Sequence, residues 1–166
     1  MKRAIAGVVP REVAEVPVMT VWPSIAAYPS GRFLGTLYNW RGGTYIFRLG
    51  NLLALASIPH ALALYFYRIL PYVGTRYTLT NRRVVVQRGL MAMDDKSVDL
   101  DRFDRIEIQV QLGQEWFQAG DLVFFQENTE TFRLDGVSRP EAFRQVCIKS
   151  HEAYVGLANV LQQQVV

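Results

Sequence analysis

Apolar positions change their period along this chain, and the changes mark its elements. Residues 105–110 alternate, with Ile106, Ile108 and Val110 on one face and Glu107 and Gln109 on the other. A period of two is that of a half-buried strand. Upstream, YTLT and RRVVVQRG flank Asn81-Arg82, a pair that suits a tight turn, so residues 77–88 are expected to form a β-hairpin. Val84 and Val86 face one way, Val85 and Gln87 the other, and Gly89 ends the strand. Residues 91–96 read as a polar turn and 97–100 as a third strand. Residues 112–119 suggest a short helical turn closed by Gly120. Residues 121–126 and 131–134 form a second hairpin around an exposed ENTE loop. The period then lengthens. Phe143, Val146, Cys147, Ser150, Tyr154, Leu157, Ala158 and Leu161 recur at spacings of three and four, the apolar stripe of a helix over 139–162. Its start has the form S-x-x-E, with Ser138 placed to cap, Glu141 to reach back and Pro140 to open the first turn. Strands first and one amphipathic helix last define an α+β class, a small antiparallel domain over 75–166 closed by its C-terminal helix.

Ahead of that domain the pattern is continuous rather than periodic. Residues 49–73 read LGNLLALASIPHALALYFYRILPYV, and positions 52–67 carry no formal charge. Sixteen helical residues span about 24 Å, against about 30 Å for a bilayer core, so Asn51 and Arg68 would sit near the two interfaces. Pro59 would kink the helix, and Tyr65, Tyr67 and Tyr72 occupy the place of an aromatic belt. Residues 49–74 are therefore expected to form one membrane-spanning or membrane-inserted helix, with a buried hairpin helix or a re-entrant segment as alternatives. Residues 1–48 look irregular, broken at Pro10, Pro17 and Pro23, with a short extended or interfacial run from Val16 to Trp22. Within them Ser30 is placed to cap a short helix ending at Leu37 or Trp40. Its aromatic residues and flanking Arg32 and Arg41 suit an interfacial helix, the alternative being a helix packed on its own domain.

Charge sharpens this division. The chain carries 18 basic and 15 acidic side chains in 166 residues, net +3. Up to Gly74 there are seven basic and two acidic residues, net +5, and beyond it eleven and thirteen, net −2. A basic, apolar front suits an anionic membrane surface, and an acidic β domain argues against nucleic acid as a partner. Arginines slightly favour the side that follows residues 49–74, which orients the C-terminal domain toward the cytoplasm. Residues 1–10 do not read as a signal peptide, because their apolar run stops at Pro10.

No catalytic set emerges. Cys147 is the only cysteine, and it lies on the helical stripe as a small core residue. His60 and His151 have no carboxylate or cysteine at ligand spacing. Asp94, Asp95, Asp99, Asp101 and Asp104 lack the turn glycine and closing glutamate of a calcium loop, and read as a solvated face. The expectation is a non-enzyme with no metal and no cofactor.

Several motifs in order carry a resemblance: YTLTNRRVVVQRGLM, then KSVDLDRFDRIEIQVQLGQEWFQAGDLVFF, then FRLDGVSRPEAFRQ. Over residues 75–146 the chain resembles the bacterial pleckstrin-homology-like domain of small membrane proteins. That resemblance implies a bent antiparallel β-sandwich or half-barrel of about seven strands, plugged by the C-terminal helix and preceded by membrane helices. It implies no enzyme activity. It places the chain at the bacterial inner membrane, and similar domains occur in assembly factors for membrane complexes, including photosynthetic ones. The expected role is an anchored accessory or scaffold subunit docking on an integral-membrane partner or larger complex. Trp22, Tyr28, Phe33, Tyr38, Trp40, Tyr45, Phe47, Tyr65, Tyr67 and Arg68 are the candidate membrane- or partner-facing residues. An alternative is a module binding anionic membrane lipid through Arg76, Arg82, Arg83 and Arg88, by analogy with the basic first hairpin of eukaryotic domains. A third reading is a self-associating homo-oligomeric ring built through sheet edges.

Overall fold

A computed structural model describes residues 15–40, 49–69 and 74–163, and seven strands among them form two antiparallel sheets. The first sheet is a meander in the order β1 (Pro17–Val21), β2 (Thr75–Thr80), β3 (Arg83–Arg88), β4 (Met93–Asp99). The second is β5 (Arg105–Gln109), β6 (Ala119–Gln126), β7 (Thr129–Ser138). The C-terminal helix α4 (Pro140–Gln163) follows. Between β1 and β2 the described residues form three α-helices, α1 (Pro29–Tyr38), α2 (Leu49–Ala56) and α3 (Ile58–Ile69). The sandwich and closing helix agree with the class read from the pattern.

The inner faces share one core. Tyr77, Leu79, Val84, Val86 and Val98 come from the first sheet, Ile106, Leu122, Phe124, Leu134 and Val137 from the second. Phe143 and Cys147 of the α4 stripe complete it, both fully buried. Burying a side chain of the size of Phe124 or Leu79 stabilises by about 1.5–3 kcal/mol, so these residues dominate the fold. The Tyr77 hydroxyl ties the two sheets, donating 2.8 Å to the Asp135 carbonyl.

Several expectations need correction. The expected single helix over 49–74 is two helices, Leu49–Ala56 and Ile58–Tyr67 in its apolar part, bent by 55° at their junction. Pro59 is in the first turn of α3, where its missing N–H costs nothing, and the kink expected there is this 55° break between two helices. Among the described residues no single helix is long and apolar enough to cross a membrane, although the bent pair together has the length and composition. The run from Val16 to Trp22 takes the extended of its two expected forms, as β1, and what was not expected is that it pairs with β2 and so joins the sheet. Strand β4 starts at Met93, within the expected polar turn, because Met93, Asp94 and Lys96 pair with Arg88, Gln87 and Val86. The turn after β5 is a 3-10 turn, Glu115–Phe117, closed by Gln118 at φ +48 rather than by Gly120. Glu141, expected to reach back to Ser138, instead pairs forward with Arg144 at 3.2 Å, while Ser138 closes β7 and the helix starts at Pro140.

Candidate membrane- and partner-facing surface

The register of the first sheet decides which residues share an end. Val21 lies opposite Tyr77, Thr75 opposite Arg88, and Arg88 opposite Met93. The chain therefore leaves β1 into α1–α3, returns into β2, and turns from β3 to β4 all at one end. The β2–β3 turn at Asn81-Arg82 lies at the other end, where Arg83 faces Asp99.

Helix α1 is seated on this end through backbone contact. Proline at its N1 position starts it after Tyr28, and the preceding turn, Ile25–Ala27, is capped by Ser24. Ser24 N donates 2.7 Å to Gly136 O, and Pro23 bridges to Val137. Gly35 of α1 lies against Gly113 of the β5–β6 loop so closely that a Cβ on Gly35 would stand 2.0 Å from the Gly113 carbonyl oxygen. Gly113 in turn has φ +86 and backs onto the Arg32 carbonyl, which demands glycine on both counts. Tyr38 is buried there, its ring edge-on to Trp116 at 5.5 Å and to Phe117 at 6.3 Å. Its hydroxyl hydrogen-bonds with Ser57 between α2 and α3.

A buried carboxylate anchors the same junction. Asp121, the third residue of β6, has no exposed surface. It accepts from Gln114 Nε2 at 2.6 Å, from Gly136 N at 2.8 Å and from Gln111 Nε2, and Arg133 lies 3.5 Å away. Arg32 of α1 donates to Gln111 Oε1, so the network reaches from the second sheet into the helices. Burial, and then the Asp121 charge, raise the Asp135 carboxyl above its usual range. This network was not foreseen. The one sequence signal was an aspartate opening the otherwise apolar run DLVFF.

The candidate surface residues separate into groups. Phe33 and Trp40 are 63 % and 57 % exposed, and Trp22, Tyr65 and Tyr67 are also exposed. Tyr28 is partly buried with its ring 6.4 Å from Tyr67. Tyr38 is no surface residue, because packing on Trp116 and Phe117 encloses it. Tyr45 and Phe47 lie outside the described residues, as does the Arg68 side chain. On α2 and α3, Leu52, Leu55, Ile58, Leu62 and Phe66 face outward, the large apolar side chains of two helices left uncovered by the β domain.

The backbones of Arg83 and Arg88 end β3 about 17 Å apart at 3.3 Å per residue, yet Asp94, which Arg83 reaches, also accepts from Gln87 Nε2 at 3.0 Å, and so links Arg83 to Arg76. Arg82 belongs with Arg83 at the end remote from α3, and Arg76, opposite Gln87, belongs with Arg88. Arg83 forms a two-point pair with Glu15, Nε to Oε1 at 2.8 Å and Nη2 to Oε2 at 3.0 Å, and also reaches Asp94 at 3.0 Å. Hydrogen bonding to Arg83 holds the Glu15 carboxyl below its usual range. Arg88 pairs with Asp95 at 3.0 Å, and Arg76 donates to Gln87 at 3.0 Å. Among the described residues no cluster of His, Cys, Asp or Glu could hold a metal ion.

Seven strands in two antiparallel sheets, closed by a C-terminal helix, make this a PH-like domain. The family model of the bacterial PH domain matches residues 20–151, and the chain belongs to that family. The match begins inside β1 and ends inside α4, so the family unit takes in the three helices between β1 and β2, beyond the 75–146 segment that carried the resemblance. Comparison with curated proteins and with solved structures gives no match.

Proposed function

We propose that this chain is a non-enzymatic accessory or scaffold subunit. In this reading α2–α3 attach it to the bacterial inner membrane and the β domain lies on the cytoplasmic side. The exposed face of α1 meets an integral-membrane partner within a larger complex, an energy-transducing one being the leading class. The observation that carries it is the uncovered apolar surface of the bent α2–α3 pair, joined through the closely packed α1 to the β domain. An apolar patch of that kind marks a membrane or protein interface. Phe33 and Trp40 supply the aromatic anchors that protein interfaces favour. The reading in which Arg76, Arg82, Arg83 and Arg88 grip anionic headgroups has less support, since Arg83 and Arg88 are engaged by acidic partners and Arg76 by Gln87. Self-association has β1 and β4 as available edges, and nothing in their geometry favours it over the scaffold reading.

The test is mild extraction from native membranes, native-size separation and identification of co-migrating chains. A stoichiometric integral-membrane partner, released by Phe33→Ala with Trp40→Ala, is the expected result. A free small species overturns the scaffold reading.

A further inference from the structure

Three β-hairpin tips lie on the surface, and they differ in chemistry. Asn81-Arg82 and Glu127-Asn128 are polar. The β3–β4 tip is not: Leu90, Met91 and Met93 are 78 %, 90 % and 72 % exposed. We propose that this tip is a second bilayer contact, an apolar wedge that enters the lipid beside α2–α3. The proposal rests on the membrane attachment proposed above and extends it to the β domain itself.

Position argues for lipid as the occupant. The tip lies at the end of the sheet from which α1–α3 depart and to which they return. Gly89 N donates 2.7 Å to Gly74 O, at the point where the chain re-enters the sheet. Five residue steps separate Ile69, the end of α3, from Gly74, so the two are at most about 18 Å apart. The tip therefore lies within about 20 Å of the end of α3, on the side of the sheet to which that helix returns. The tip is also built to hold its shape. Gly89 and Ala92 both take positive φ, +71 and +52, and Ala92 N donates to Gly89 O at 3.3 Å. A shaped turn presenting three unbranched or γ-branched apolar side chains loses little order on entering acyl chains.

The flanking charges select the lipid chemistry. Arg76, Arg88, Asp94, Asp95 and Lys96 sum to only +1, and Arg88 is paired with Asp95. Entry is therefore driven by apolar burial and does not require anionic headgroups, which separates it from an arginine-based lipid clamp.

The experiment uses the full chain with Met91→Cys carrying an environment-sensitive fluorophore, reconstituted with pure phosphatidylcholine vesicles. Cys147 is fully buried and does not compete for the label. A parallel sample carries the label at Leu62→Cys on α3. The proposal expects blue-shifted emission at 91, quenched by spin-labelled acyl chains, and an unlabelled Leu90→Ser, Met91→Asp variant partitioning at least roughly tenfold more weakly. Label 62 in lipid with label 91 in water overturns the wedge and leaves the membrane attachment standing. Both labels in water overturn both. Shielding of 91 in native membranes alone, and not in protein-free vesicles, makes the occupant a protein and also overturns the wedge.

Discussion

The Tyr77 hydroxyl, on β2, donates to the carbonyl oxygen of Asp135, on β7, across 2.8 Å, and so adds a polar link between two sheets that share an apolar core. The ring is 5 % exposed, and burial, followed by the Asp135 and Asp121 charges, raises the phenol well above its ordinary 10.0. Tyr77→Phe leaves the Asp135 carbonyl short of a donor and is expected to cost about 1–2 kcal/mol, read from denaturant midpoints.

Alkaline stability follows from the same group. A phenol whose folded pKa exceeds its unfolded value holds its proton longer when folded, so its contribution is complete below pH 10 and falls as pH rises above it. Cys147 behaves alike, burial pushing its thiol from 9.0 up to about 12. Unfolding free energy is expected to decline from about pH 9 upward, less steeply in Tyr77→Phe, as denaturant titrations at fixed salt would show. At pH 8 Cys147 should react with thiol reagents only as fast as the chain unfolds.

At acid pH the relevant pair is Glu15–Arg83. The Glu15 carboxyl is held below 4.5, so its stabilisation is present above that value and lost as pH falls through the lowered one. Both side chains are about a third exposed, which limits the pair to about 0–1 kcal/mol. Arg83→Gln should therefore change the midpoint little at pH 7, flatten the acid limb, and leave vesicle binding unaltered. A large loss of binding to anionic vesicles would restore the arginine clamp.

Helix α1 depends on Gly35. Its substitution by alanine places a methyl 2.0 Å from the Gly113 carbonyl oxygen, and neither backbone can yield cheaply. The expected loss is about 1–3 kcal/mol, with changed Trp116 emission and earlier proteolysis between α1 and the β5–β6 loop. Arg32→Ala should weaken the same junction more mildly, by breaking the link to Gln111.

Sequence pattern exposes some elements and hides others for physical reasons. Strands β3 and β5 were legible because valines and isoleucines line the core side. Strand β1 was legible only as an extended run and not as a sheet member, since its residues are exposed or half-buried throughout and Pro17 opens it. Only the start of β4 escaped, because Met93 to Lys96 are all solvent-exposed on an edge. Aromatic residues looked alike in the sequence, yet Tyr38 is enclosed and Trp40 is not, a distinction that the docking of α1 makes. The pairing of the arginines needed strand register, and Asp121 needed the three-dimensional meeting of Gln111, Gln114 and Gly136.

Placement of the helices between β1 and β2 sets an order of biosynthesis. The ribosome delivers β1 first, then 53 residues containing the apolar pair, and only then the strand that β1 must pair with. Closing Met19 onto Leu79 means closing a long loop, which is slow relative to local hairpins. Insertion of the helices would shorten that search by fixing both ends of the loop near one surface. Truncation to a soluble fragment starting at β2 would strip the sheet of an edge strand. The unpaired β2 edge, Tyr77 to Thr80, would then be open to a neighbouring chain.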